Sequence, residues 1–271
     1  MKSEINSPKM VAVDIDGTFV RSDYSYDYDR FEAILKRMEQ QKARFVVASG
    51  NQYYQLRDLF PKHHHQLAFV AENGAFVKDG DETIFAGKLS KEAVERTLDL
   101  CSKYPEIDTV MCGLESAYCQ RGTVTQDFYD LTTLYCHRLM WVDDFREVED
   151  QVLKFALTVP DDRTMEFYAL FAKELEGLLE PTTSGHGAID LIVPGCHKAS
   201  GLKRLAARWQ IDPKDCAAFG DGGNDIEMLQ YCGYSYAMAN ADEAVKQAAR
   251  SVCPSNDDDG VLVVLDELYP A

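Results

Sequence analysis

Apolar residues along the chain alternate between two patterns. Short runs that are apolar nearly throughout occupy residues 10–15, 45–48, 67–71, 216–219 and 234–238, with a weaker one near Val252. Between the first two, Phe31, Ile34, Leu35 and Met38 recur at i, i+3, i+4 and i+7, the stripe of an amphipathic helix. Leu202, Leu205, Ala206 and Trp209 repeat that stripe before the 216–219 run, which assigns Trp209 to the core. Strands apolar on both faces and separated by helices predict a parallel sheet covered on both sides, a doubly wound, Rossmann-like α/β fold. The alternation breaks between about residues 85 and 190. There aromatics and alternating patterns (YCQRGTVTQDFYDLTTLY, KFALTV, AIDLIV) join helix-period segments at 91–104 and 165–179. This predicts an inserted α+β domain over 86–190 within a core built from 1–85 and 191–271.

In an open parallel sheet, ligands bind beyond the carboxyl ends of the strands. Four of those ends read DIDGT (14–18), ASGN (48–51), AENGA (71–75) and FGDGGND (219–225). Glycines and short polar side chains thus converge on one crevice. The first stretch, MVAVDIDGTFV, sets two aspartates in an apolar run, where unpaired carboxylates are expensive. Strand side chains alternate faces, so Asp14 and Asp16 point the same way while Ile15 enters the core. A divalent cation is the simplest remedy for their repulsion, and oxygen ligands suit Mg²⁺. Asp221 adds a further carboxylate, with Asp225 placed to orient it. No His/Cys cluster in these motifs favours zinc.

The remaining residues suit phosphate. Ser49 and Gly50 offer a hydroxyl and exposed backbone N–H groups, Lys198 a point charge at a helix start, and Asn224 an amide donor. Gly17 permits a tight turn after the carboxylates, and Thr18 can hold that turn by a local hydrogen bond.

Composition narrows the partners. The 271 residues carry 28 Lys plus Arg against 45 Asp plus Glu, a formal net charge of −17, which disfavours a nucleic-acid partner. Eight scattered cysteines without a CxxC pair favour free thiols and a cytoplasmic setting. Neither a signal-peptide pattern at the N-terminus nor a run of about 20 apolar residues is present, so no membrane partner is expected. The DDD run at 257–259 reads as a solvated loop, and His63, His64 and His65 as an exposed turn rather than a metal site. Tyr53 and Tyr54 read as helix packing.

The four motifs, in this order and with this insert, resemble the haloacid dehalogenase superfamily of phosphohydrolases. The stretches FVVASGNQYYQL, FVAENGA, GLESAY, TSGHGAIDLIVPGCHKASGLKRL and GDGGNDIEML extend the likeness over the whole chain, toward bacterial sugar phosphatases of the Cof-like branch. The resemblance implies an Mg²⁺-dependent phosphatase of small phosphorylated metabolites, sugar phosphates foremost, with the insert acting as a cap. It implies that Asp14 is the nucleophile and forms an aspartyl-phosphate, and that Asp16 is the general acid and base. Mg²⁺ would be held by Asp14, the Asp16 main-chain carbonyl and Asp221. The phosphoryl would be cradled by Ser49, Gly50, Lys198, Asn224 and the backbone at Ile15.

Many Cof-like members carry Arg where this chain has Asn51, so a bidentate phosphate contact is lost at that substrate-facing position. In the cap, Glu115, Tyr118, His186 and Asp190 are candidates for sugar hydroxyl contacts. A cap that covers the site unaided is compatible with a monomer. Two alternatives stand beside hydrolysis: transfer of the phosphoryl to a second sugar, and a non-catalytic phosphometabolite sensor. A response-regulator receiver also pairs acidic residues with Mg²⁺, but it needs neither the insert nor a DxD pair.

Overall fold

A computed structural model describes residues 7–271. In chain order the strands are β1 (Met10–Val13), β2 (Arg44–Ala48), β3 (Ala68–Ala71), β4 (Phe76–Asp79), β5 (Glu82–Ala86), β6 (Asp108–Gly113), β7 (Ala117–Gln120), β8 (Leu139–Val142), β9 (Val152–Thr158), β10 (Glu180–Gly185), β11 (Ala188–Ile192), β12 (Cys216–Gly220), β13 (Tyr234–Met238) and β14 (Ser251–Cys253). Among the described residues they form two sheets, ordered β14-β13-β12-β1-β2-β3-β4-β5 and β10-β11-β9-β6-β7-β8.

The first sheet is the expected α/β core. β14 through β3 run parallel, and MVAV of β1 is buried on both faces, as an interior parallel strand requires. Two apolar clusters flank it. One packs the Tyr28–Gln40 helix through Phe31, Ile34 and Met38; the other packs the Lys198–Trp209 helix through Leu202, Leu205 and Ala206. The antiparallel β4–β5 hairpin extends the sheet beyond β3 and has no counterpart among the sequence-predicted strands. Its residues are only half apolar because it lies at an edge, where one face stays wet.

Trp209 is half-buried rather than in the core. It sits in the last turn of its helix, donates its indole N–H to Asp79 Oδ2 (2.9 Å) and lies beneath the Arg44 guanidinium. The DDD stretch is likewise engaged: Asp257 accepts from the Ser22 amide and hydroxyl, and Asp259 pairs with Arg21 at 2.6 Å.

The chain leaves the first sheet after Ala86 and builds the second before returning at the Lys198–Trp209 helix. Its pairings are antiparallel apart from β7–β8. One face packs the helices Lys91–Cys101 and Thr164–Glu174 through Leu98, Phe167 and Phe171, both helices ending short of their sequence-predicted limits. The other face carries Val110, Cys112 and Ala156 toward the helix Gln126–Thr132.

A single glycine sets how closely the Lys198 helix approaches the core sheet. A Cβ at Gly201 would lie 2.4 Å from Val70 Cγ1, and Val70 is fully buried and β-branched. Gly201→Ala should therefore destabilise the fold by about 1–3 kcal/mol through overpacking, although alanine favours a helix interior by about 1 kcal/mol. Urea unfolding checks this, and Val70→Ala in the same chain should restore most of the loss.

Candidate active site

Strand register assembles the site. Val13 is opposite Phe219 on one side and Val47 on the other, so β1, β12 and β2 end level. Asp14 follows β1 and donates its amide to Phe219 O (3.1 Å), while Ser49 follows β2 and donates to Val70 O (2.9 Å). Residues 15–19 then coil in one tight turn, closed by Val20 N–H to Ile15 O, and the Ile15 side chain enters the core. Gly17 has φ +70°, and a Cβ there would lie 2.3 Å from Asp221 Oδ2. Glycine thus allows both the left-handed backbone and the approach of Asp221 to the turn.

Lys198, 1 % exposed, donates to Asp14 Oδ1 (2.7 Å) and Asp225 Oδ1 (2.6 Å). Burial opposes its charge, but Asp14 and Asp225 outweigh that and hold it above the ordinary lysine range. Asp225 Oδ2 accepts from the Asp221 and Gly222 amides. Thr18 Oγ1 donates to Asp221 Oδ1 (2.6 Å), so this hydroxyl orients a carboxylate across the crevice instead of holding its own turn. Asn51, which stands where many Cof-like members carry arginine, donates its amide to Asp16 Oδ2 (2.7 Å). Asp16 Oδ1 is buried and has no hydrogen-bond partner among the described residues.

One lysine against Asp14, Asp16, Asp221 and Asp225 leaves the crevice strongly negative. Burial, together with Asp225 and Asp221, pushes Asp14 well above the usual carboxylate range despite Lys198. Burial chiefly raises Asp16, against the Asn51 hydrogen bond, and lifts Asp221 to about 6. Carboxylate oxygens of Asp14, Asp221 and Asp225 lie within 4.8 Å of one another. This all-oxygen, charge-uncompensated set fits Mg²⁺.

The cleft has a volume of about 550 Å³, in the range of small-metabolite sites. Ser49, Gly50, Asn51, Asn224, His186 and Asp190 line it beside the aspartates and Lys198. Asn224 donates to Asn73 Oδ1 (3.2 Å). Two sequence candidates lie elsewhere. Glu115 is exposed beside Arg138, and Tyr118 donates its hydroxyl to Asp150 (2.9 Å); neither lines the cleft. Glu115 sits in the β6–β7 turn and Tyr118 in β7 itself, and Asp150 ties the turn down through the Glu115 and Ser116 amides. The His63–His65 turn is also outside it, with His63 against Tyr28 and His65 against Asp81. Tyr53 packs on Phe69 and Phe76 as expected, whereas Tyr54 reaches across to Leu114 O and Arg138.

The sequence reading missed Glu72 and Lys154, and an aromatic wall of Tyr24, Phe128 and Tyr135. Lys154 did leave a signal, a lone cation inside the apolar run KFALTV. Its Nζ donates to Gly50 O and Asp190 Oδ2, both at 2.8 Å. Burial, with the Asp190 charge nearby, raises Glu72 to about 7 against the opposing pull of Lys154 at 3.6 Å.

Comparison with known proteins agrees with this geometry. The haloacid dehalogenase-like hydrolase family matches residues 11–265, and the chain belongs to that family, in its Cof-type branch. It is 42% identical over 267 residues to the Escherichia coli K12 5-amino-6-(5-phospho-D-ribitylamino)uracil phosphatase YbjI, covering 97% of this chain and 96% of the relative. A second protein of that description, YitU of Bacillus subtilis 168, is 23% identical, covering 97% of this chain and 98% of YitU. The crystal structure of SMU.1108c from Streptococcus mutans UA159 superposes with a TM-score of 0.93 at 38% identity, covering 98% of this chain and all of that one. The protein is a phosphoric monoester hydrolase. Among the described residues no helix is long and apolar enough to cross a membrane.

The raised Glu72 value fixes a pH dependence. Between about pH 4.5 and 7 the folded protein keeps a proton on Glu72 that the unfolded chain has released, so stability falls as pH rises through this window. Glu72→Gln should remove that component. By urea unfolding from pH 5 to 8, the variant should gain on wild type by up to about 1.4 kcal/mol per pH unit. Parallel curves would refute the assignment.

Proposed function

We propose that this chain hydrolyses a phosphorylated small metabolite, a sugar or polyol phosphate, through an aspartyl-phosphate on Asp14 with Mg²⁺ as cofactor. The observation that carries the proposal is the unequal placement of the two aspartates. Asp14 is fixed at 2.7 Å from Lys198, whereas Asp16 hangs at the crevice on Asn51 with one oxygen free.

Asp14 attacks phosphorus, and the bond to the ester oxygen breaks as the new P–O bond forms. Asp16, whose burial favours its protonated form, gives its proton to the departing alkoxide. It then takes a proton from the water that cleaves the acyl phosphate, releasing inorganic phosphate and restoring Asp14. Ser49, the backbone at Ile15 and Gly50, Lys198 and Asn224 stabilise the equatorial oxygens. Asp14, the Asp16 main-chain carbonyl and Asp221 would hold Mg²⁺, which would supply positive charge beside the transferring phosphoryl. Asp225 and Thr18 orient Asp221 and its loop. The second sheet acts as a cap that excludes water and selects the leaving group.

The cleft lining combines polar groups, Asp190 and His186 among them, with the aromatic and apolar side chains of Tyr24, Phe128, Leu131 and Tyr135. A polyol phosphate ending in a planar ring satisfies both, and the compound named for the E. coli relative has that form. Eight free thiols fit a cytoplasmic enzyme.

Inorganic phosphate should be released from a generic aryl phosphate and from phosphorylated sugars or polyols. Chelation should stop release and added Mg²⁺ restore it. Asp14→Asn should reduce turnover to background, and Asp16→Asn should slow it by roughly 10²–10⁴-fold with Mg²⁺ affinity retained. Binding of a sugar phosphate without release under any divalent metal would overturn the proposal, and phosphoryl appearing on an added sugar would make the enzyme a transferase.

A further inference from the structure

A buried polar cluster joins the two sheets beside the crevice, and phosphoryl transfer as described makes no use of it. Lys154 projects from β9, its side chain 5% exposed, onto Gly50 O and Asp190 Oδ2, with Glu72 Oε2 behind them. Asn73 also donates to Asp190, and it accepts from Asn224. The loop after β2 is gripped carbonyl by carbonyl. Ser49 O accepts from Asn73 N (3.2 Å), Asn51 O from Glu72 N (3.1 Å), and Gly50 O from Lys154 Nζ. Of these three donors, only Lys154 comes from the second sheet. Glu72 and Asn73 hold their positions with φ of +50° and +52°, a backbone that non-glycine residues seldom adopt.

The Gly50 carbonyl and the Asn51 amide share one rigid plane. Holding the carbonyl therefore aims the amide, and Asn51 N–H donates to Ser49 Oγ (3.1 Å). With one lone pair so used, the Ser49 hydroxyl proton is left for another acceptor. The same plane sets the root of the Asn51 side chain, which holds Asp16. We propose that Lys154 is a positioning residue: seated on the Gly50 carbonyl, it sets the Gly50–Asn51 peptide and, through it, the Ser49 hydroxyl and the Asn51 clamp on Asp16. The phosphate cradle and the acid then take up working geometry only with the second sheet docked, which couples cap closure to catalysis. This rests on the roles given to Ser49 and Asp16 under the proposed function.

The test compares wild type with Lys154→Met and Lys154→Arg. It reads hydrogen exchange in the peptide containing residues 49–51, the Kd of inorganic phosphate with Mg²⁺ by calorimetry, and turnover of an aryl phosphate and a phosphorylated sugar. Lys154→Met should speed exchange at 49–51, weaken phosphate about 10–100-fold, and lower kcat by a similar factor on both substrates. Lys154→Arg should recover part of each. Unchanged phosphate affinity and exchange, with KM raised for the sugar phosphate alone, would overturn the proposal in favour of a direct leaving-group contact. A lower Tm with unchanged phosphate affinity and exchange would reduce Lys154 to a structural strut, and wild type that binds no phosphate would also refute it. If Lys154→Met does not fold, the Lys154→Met, Glu72→Gln, Asp190→Asn chain replaces the whole cluster and is read by exchange at 49–51 and by phosphate affinity alone, since Asp190 also lines the cleft. Wild type that binds phosphate with 49–51 protected yet hydrolyses no ester would sink the hydrolase proposal while leaving the positioning role of Lys154 standing.

Discussion

The site depends on one buried cation held between two carboxylates. Lys198 is sealed from solvent, 2.7 Å from Asp14 and 2.6 Å from Asp225. A lysine so placed is tolerable only when its ion pairs are short and its donors are used, because desolvation otherwise exceeds the Coulomb gain. Three elements must then meet within hydrogen-bond reach: the end of β1, the loop after β12 and the first turn of the Lys198–Trp209 helix. Level register of β1 with β12 provides the first two, and Gly201 lets the helix press onto the sheet to provide the third. The same lysine cannot neutralise every aspartate around it. The negative charge left over makes the crevice receptive to a divalent cation, so one interaction bears on both the fold of the site and the charge it can accept.

The core was legible because its physics is local. A strand buried on both faces must be apolar along its length, and its helices must repeat at i, i+3, i+4, so 234–238 could be bounded to the residue and 10–15 nearly so. The chemistry was legible for a related reason. Charges and glycines at strand ends violate the apolar pattern, and four such violations fall on one edge of one sheet.

Other features were invisible because tertiary contacts decide them. The β4–β5 hairpin lies at an edge, so its burial pattern is mixed. Tyr118 and Glu115 carry the right functional groups for a sugar, but Asp150 takes the Tyr118 hydroxyl, the Glu115 carboxylate lies beside Arg138, and neither lines the cleft. Asn51 and Thr18 both reach the crevice, but Thr18 was expected to hold its own turn, and their partners, Asp16 and Asp221, are 35 and 203 residues away. No local rule reports which carboxylate an amide or hydroxyl will meet across a crevice.

Lys154 shows where that boundary falls. KFALTV breaks the apolar pattern as plainly as MVAVDIDGTFV does, and the same rule applies: a charge in a buried strand must be paired. Asp14 and Asp16 could be interpreted because glycine, threonine and three other motifs stood with them. Lys154 stands alone in its strand, and its partners Glu72, Gly50 and Asp190 come from three separate segments. Burial supplies the reason it must be paired, since removing it would leave Glu72 buried without its cation and Asp190 without its ion pair at the cleft wall. The cost of burying charge thus recurs twice in this molecule. Inside the crevice it sets Asp14 beside Lys198, and at the seam it ties the second sheet to the loop that carries Ser49.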